Sequence, residues 1–163
     1  MTKPARYPAN QARVVAVSVS DKKGVAKHNV PEARLLVEHG LEGDAHAGGG
    51  RRQVSLLALE SIEKMRAAGA EVKPGDFAEN ITTLGIPVHA LPLGTRLRIG
   101  PEAELVVTQI GKACHRGCTI RDLVGDCIMP REGIFARVVK GGRIKPGDTV
   151  EVLSVPGGDP DSQ

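Results

Sequence analysis

The stretch Gln53-Val54-Ser55-Leu56-Leu57-Ala58-Leu59-Glu60-Ser61-Ile62-Glu63-Lys64-Met65-Arg66-Ala67-Ala68-Gly69 changes period in its middle. Gln53 to Leu57 is a short strand pattern with Val54 and Leu56 on one face. Beyond it, Leu59, Ile62, Met65 and Arg66 recur at helical spacing. Glu60 and Glu63 fall near the start of that run and Gly69 just past its end, a charge bias and a stop that suit a helix. The spacing predicts a strand closing at Leu57 and a helix from Leu59 to Ala68.

Outward from this junction the chain reads as strands broken by Gly and Pro. Arg13 to Val19 is β-branched and apolar, a buried strand. Glu32 to His39, with Leu35-Leu36-Val37, leads into a turn at Gly40. Phe77 to Thr83, Arg96 to Ile99, Glu104 to Ile110 and Thr149 to Leu153 are further strands, with turns at Gly94, Gly100-Pro101 and Lys145-Pro146-Gly147-Asp148. A second helix is expected near Ile120 or Ile134. The fold class is therefore mostly β with helices (α+β), a mainly antiparallel β-barrel in a single domain. Residues 1–10 form a flexible leader, residues 11–154 the domain, and residues 155–163 a disordered tail with nothing to bury.

Composition narrows the function. At 163 residues the chain can build its own core. Only 2% of residues are aromatic, so Val, Leu, Ile and Ala must fill it, and base-stacking platforms for single strands are absent. A net charge of +3, dispersed along the chain, does not make a nucleic-acid footprint, but suits a few basic groups around an anionic small molecule. Three irregularly placed cysteines and no apolar leader point to a reducing cytoplasm. No apolar run approaches the ~18 residues that would span a bilayer. The expected setting is soluble and cytoplasmic.

Reactive chemistry concentrates in Gln109-Ile110-Gly111-Lys112-Ala113-Cys114-His115-Arg116-Gly117-Cys118. Lys112, His115 and Arg116 can place positive charge near the Cys114 sulfur, and cations favour thiolate, the form that attacks electrophiles or binds soft metals. Cys118 could resolve an oxidised sulfur or share a metal. Free cysteines are commonly small core residues, but apolar packing rarely recruits three basic groups and two glycines. Cys127 has no basic residue beside it and reads as a packed thiol.

A second concentration is Gly40-Leu41-Glu42-Gly43-Asp44-Ala45-His46-Ala47-Gly48-Gly49-Gly50-Arg51-Arg52-Gln53. Asp44 and His46 lie on one side of an extended segment, an acceptor beside a titratable ring; a hairpin whose Asp caps a turn fits equally. The glycines lack the Lys-Ser/Thr of a P-loop and the strand-to-helix setting of a dinucleotide site. Glu79 and Asn80 interrupt the strand-like run from Phe77 and should face opposite sides of it. Arg137 could stand at a cavity mouth, where its planar fork suits phosphate or carboxylate, or pair with a surface Glu. A structural zinc site is disfavoured, since paired C-x-x-C motifs are absent. A hydrolase is disfavoured as well, since there is no nucleophile elbow.

In order and spacing these segments resemble the molybdenum cofactor sulfurase C-terminal (MOSC) domain family, in its small stand-alone form. The resemblance is carried by Gly43-Asp44-Ala45-His46, Arg52-Gln53-Val54-Ser55-Leu56-Leu57 and Gly75-Asp76-Phe77-Ala78-Glu79-Asn80-Ile81-Thr82. A Cys following Val107-Thr108-Gln109-Ile110, then Gly133-Ile134-Phe135-Ala136-Arg137-Val138 and Gly147-Asp148-Thr149-Val150, complete it.

The resemblance implies a barrel-like fold and places Cys114 where family members carry sulfur as a persulfide or ligate molybdenum in a pterin cofactor. It maps Asp44, His46, Arg52, Glu79 and Asn80 onto the family's polar pocket motifs. The chemistry of the residues adds the rest of the expected site: His46 or His115 moves the proton, and Lys112, Arg116 and Arg137 join Asp44, Arg52, Glu79 and Asn80 in binding a molybdopterin-like or other anionic sulfur-linked ligand. The chain has no pyridoxal-phosphate desulfurase domain, so a sulfur-transferase role implies a cysteine desulfurase or molybdoenzyme partner. The alternatives are a non-catalytic cofactor carrier and a metal-cofactor-dependent enzyme that detoxifies N-hydroxylated compounds.

Overall fold

The computed structural model describes residues 12–22, 25–45, 47–50, 52–111 and 132–156. The leader, most of the tail, the helix expected near Ile120, and His46, Lys112, Cys114, His115, Arg116, Cys118 and Cys127 lie outside the described residues.

Among the described residues, eleven strands and one α-helix follow in chain order: β1 (Arg13–Val19), β2 (His28–Val30), β3 (Ala33–Leu36), β4 (Gly40–Leu41), β5 (Val54–Ala58), α1 (Leu59–Ala67), β6 (Ile81–Leu84), β7 (Arg96–Ile99), β8 (Ala103–Ile110), β9 (Ile134–Lys140), β10 (Gly142–Ile144) and β11 (Val150–Ser154). Eight form one sheet in the order β11-β7-β8-β9-β5-β6-β1-β2, and β10-β3-β4 form a small second sheet. The α+β class expected from the periodicity is what the chain adopts. Pairings among the described strands are antiparallel apart from β5 with β6, where Leu56, Leu57 and Ala58 face Ile81, Thr82 and Thr83. That parallel pair needs a crossover, and α1 supplies it.

The sheet does not close into a barrel by a continuous ladder. It curls until Arg13 bridges Thr149, with Val14 N–H donating to Asp148 O at 2.8 Å and Val150 N–H to Ala12 O at 3.0 Å. Further along, β1 turns to β2 instead, pairing Val17 with Val30.

Alternation sets the layers. Val54, Leu56 and Ala58 join Val17, Ile81, Leu105, Ile134 and Val138 inside the curved sheet. Leu57 points the other way, to Ile62 and Met65 of α1, Val72, Phe77 and Phe135. α1 ends as its sequence suggests: Gly69 takes φ +103°, Ala70 N–H donates to Met65 O at 3.0 Å, and Arg66 Nε caps Val72 O at 2.8 Å.

Two expectations are corrected. The run from Phe77 does not begin a strand; positive φ at Gly75 and Ala78 makes it a turn, and β6 starts only at Ile81. Ile134 opens strand β9, not a helix, because Ile134, Phe135 and Ala136 are each buried between α1's layer and the inner core and are paired on both sides, by β5 and β8.

Candidate functional site

The turn before β6 gathers the first part of the site. Glu79 is fully buried and accepts from Gly75 N–H at 2.7 Å, Phe77 N–H at 3.2 Å and the Thr82 hydroxyl at 2.7 Å. Burial dominates its titration and raises its carboxyl above the ordinary range, against the opposing pull of those donors. Asn80 also precedes β6, and its side chain bonds a different set of partners. Its Oδ1 accepts from Ser55 N–H at 3.0 Å and its Nδ2 donates to Ser18 O at 3.1 Å, stitching β5 to β1 across the start of β6.

Asp44 joins this cluster from the glycine-rich segment. Lys27 Nζ lies 2.8 Å from its Oδ1, both side chains fully buried, and Ser20 N–H donates to the same oxygen at 3.1 Å. Burial alone would raise the Asp44 carboxyl, but the hydrogen bond and charge of Lys27, with Ser20 and the Asn80 amide, outweigh it and hold the carboxyl below the usual range. The structure therefore brings Asp44 and Asn80 together. Lys27 escaped the sequence reading, since a buried lysine carries no motif of its own.

A second group surrounds Gln53. This buried amide donates to Glu38 Oε1 and Gly50 O, both at 2.9 Å, and accepts from Val138 N–H at 2.9 Å. Arg137 Nε pairs with Glu38 Oε2 at 2.8 Å on the exposed surface. The Gln53 amide first, and Arg137 after it, hold the Glu38 carboxyl below its ordinary value. Arg137 thus has the surface Glu as its partner. Arg52 is different: it is exposed, pairs with no carboxylate among the described residues, and lies with its guanidinium 5.7 Å from the Phe135 ring centre.

Phe135 locates Arg52 relative to the cysteine segment. Gln109 pairs with Phe135 and Ile110 with Ile134, and Gly111 N–H closes the ladder on Gly133 O at 2.6 Å. The ladder therefore ends at Gly111 and Gly133, two residues beyond the ring that Arg52 lies over. Among the described residues no three His, Cys, Asp or Glu side chains gather to hold a metal ion, and no helix is long and apolar enough to cross a membrane.

Residues 43–151, from the Asp44 turn into the start of β11, match the family model of the MOSC domain. The chain belongs to the MOSC domain family. Solved structures share the fold. The YuaD protein from Bacillus subtilis is 18% identical with a TM-score of 0.72, covering 87% of this chain and 95% of that one. YiiM from Geobacillus stearothermophilus is 20% identical with a TM-score of 0.69, covering 88% and 75%. YiiM from Escherichia coli is 22% identical with a TM-score of 0.64, covering 88% and 70%. No curated protein sequence matches the chain.

For the pterin cofactor that MOSC domains are associated with, the described residues divide. Arg52, with its open guanidinium, has the donor set for a phosphate or an electron-rich ring. Glu79 and Asn80 point their polar atoms at the protein's own backbone and serve to fix the turn.

Proposed function

We propose that this MOSC protein binds an anionic, sulfur-linked ligand of the molybdopterin type, with Cys114 as sulfur acceptor or molybdenum thiolate. The observation that carries the reading is the placement of Arg52 over Phe135, two residues from Gly133, where the β8–β9 ladder ends on the side of the Cys114 segment in the sequence. Arg52 holds the ligand's phosphate, and Lys112 and Arg116 add charge from the cysteine segment. Asp44 and Asn80 set the Gly43–Ala45 turn, and His46 or His115 carries the proton. The bound group, when molybdenum is present, supplies an electrophilic centre for sulfur.

In the transfer itself, the Cys114 thiolate attacks the outer sulfur of a donor persulfide. The donor's S–S bond breaks, a new S–S bond forms at Cys114, and the donor leaves as thiolate with no net redox change. A cysteine desulfurase, which forms a persulfide on its own cysteine, is the natural source of that donor. A cofactor carrier without turnover is the second reading; it keeps ligand binding and lacks the persulfide step.

Elemental analysis and peptide mass spectrometry of the isolated protein test this. Molybdenum with pterin, or one extra sulfur on the Cys114 peptide that is lost in Cys114→Ser, is expected. Neither group bound, and no sulfur acquired from a persulfide donor, would overturn it.

A further inference from the structure

Glu38 has a backbone conformation that side chains rarely adopt. Its φ is +54°, in the left-handed region where glycine is the ordinary occupant. Glu38 N–H donates to Val138 O at 3.0 Å and His39 N–H to Leu36 O at 3.1 Å, which fixes the main chain there. The carboxylate is fixed as well. Its Oε1 accepts from the buried Gln53 amide at 2.9 Å, and that amide accepts in turn from Val138 N–H at 2.9 Å. Val138 thus holds Glu38 from both ends, directly at the main chain and through Gln53 at the side chain. The residue before Val138 is Arg137.

This bracket is more than an exposed ion pair needs, since such pairs contribute little to stability and leave long side chains free to change rotamer. What it fixes is one guanidinium. Glu38 Oε2 accepts from Arg137 Nε at 2.8 Å, while the terminal nitrogens of Arg137 have no hydrogen-bond partner among the described residues. Contact through Nε leaves the fork of terminal N–H donors open. Arg52 covers the neighbouring position on the same face. Ile134, Ala136 and Val138 turn into the inner core, so Phe135 and Arg137 share the opposite face of β9, roughly 7 Å apart along the strand. The Arg52 guanidinium lies 5.7 Å from the Phe135 ring centre.

We propose that Glu38 is a positioning residue, holding Arg137 as a second oxyanion-binding fork on the face that Arg52 occupies. The inference rests on the reading of the Arg52 surface as a ligand site, and the chemistry it adds is a phosphate group gripped from two sides. An arginine already clamped at Nε loses less conformational freedom when its fork closes on an oxyanion. The charge of Glu38 acts in the opposite direction, repelling the same anion. Both members of the pair are about half exposed, so solvent and salt screen that repulsion, and the ordering of Arg137 prevails.

The two effects differ in sign, and inorganic phosphate titrated against the full-length protein by NMR at fixed ionic strength tells them apart. Glu38→Gly removes the carboxylate and relieves the left-handed strain, which offsets the lost Gln53 bond and keeps the melting temperature near wild type. It should nevertheless weaken phosphate about fivefold, the effect of leaving one long side chain to be ordered by the ligand. Glu38→Gln, whose amide oxygen still accepts from Arg137 Nε, should recover part of that loss. The Arg137 Nε–H resonance should be protected from exchange in the wild type and lost in Glu38→Gly. Glu38→Gly that binds phosphate as tightly as wild type, or more tightly as charge removal alone would give, overturns the inference and leaves the Arg52 site standing. Wild-type protein that binds no phosphate overturns the site reading and this inference with it.

Discussion

Lys27 Nζ and Asp44 Oδ1 meet at 2.8 Å with both side chains wholly out of solvent. The contact ties the Gly43–Ala45 turn to the chain between β1 and β2. Breaking one half of a buried pair strands the other charge, whereas replacing both halves with apolar groups of similar volume does not. Lys27→Met should therefore cost about 3–5 kcal/mol in urea unfolding. The double variant Lys27→Met/Asp44→Leu should recover a large part of that loss. Equal losses in single and double variants would show that the pair is not the unit of stability.

The two buried carboxylates give opposite pH dependence. Asp44 is depressed in the fold, so its contribution is fully present above the unfolded value near 4 and is lost as pH falls through the folded value. Glu79 is raised, so the folded state holds its proton longer than the unfolded chain, and stability declines as pH climbs from about 4.3 through the folded value. Unfolding free energies measured from pH 3 to 8, as Asp44→Asn and Glu79→Gln are compared with wild type, should lose the acid-side slope in the first and the rising-pH decline in the second.

Two glycines of similar backbone should respond differently to alanine. Gly75 has φ +96°, and a Cβ there would stand 2.6 Å from Lys27 O and 3.0 Å from Ser18 Oγ. Gly69 has φ +103° and open space around it. Gly69→Ala should cost about 1–2 kcal/mol of backbone strain alone. Gly75→Ala adds the collision and should exceed it clearly in the same denaturation assay.

Gln53 and Arg137 separate a framework role from a surface one. Gln53→Leu leaves the buried Val138 N–H without its acceptor and should cost about 1–3 kcal/mol. Arg137→Ala removes an exposed pair with Glu38 and should leave the melting temperature within error. Arg52→Ala should likewise spare stability while lowering retention of molybdenum or pterin; retention equal to wild type would remove Arg52 from the site.

Cysteine reactivity checks the sulfur chemistry directly. Brief iodoacetamide treatment near neutral pH, followed by peptide mapping, should label Cys114 well ahead of Cys127, with the rate falling in acid. Labelling of Cys114 at or below the rate of Cys127 would count against a thiolate there.

Much of the scaffold was legible because its pattern is local. β1 and β7 begin and end where their apolar alternation does, and α1 lies within one residue of the span read from Leu59, Ile62, Met65 and Gly69. β2 and β10 were not legible: His28-Asn29-Val30 and Gly142-Arg143-Ile144 carry too few apolar residues to announce a strand and form by pairing with longer neighbours. The Phe77–Asn80 turn read as strand because Phe77 is apolar and followed by alternation, while the feature that decides it is a pair of positive φ angles. In the site, Asp44 and Asn80 were singled out by their residue types and do meet. Lys27, Gln53 and Glu38 were not, because their roles arise from contacts between segments far apart in the chain.

The hydrogen bond from Gly111 to Gly133 marks a modular boundary in the fold. With Ile110 already paired to Ile134, the longest ladder of the sheet is finished before the cysteine stretch begins. Glu132, at the far end of the intervening stretch, is bonded by Ser61 and Lys64 of α1, so the framework grips both margins of that stretch, Gly111 on one side and Glu132 on the other. Grafting residues 112–131 between proteins that share this framework then becomes a way to ask which chemistry travels with the stretch and which stays with the sheet.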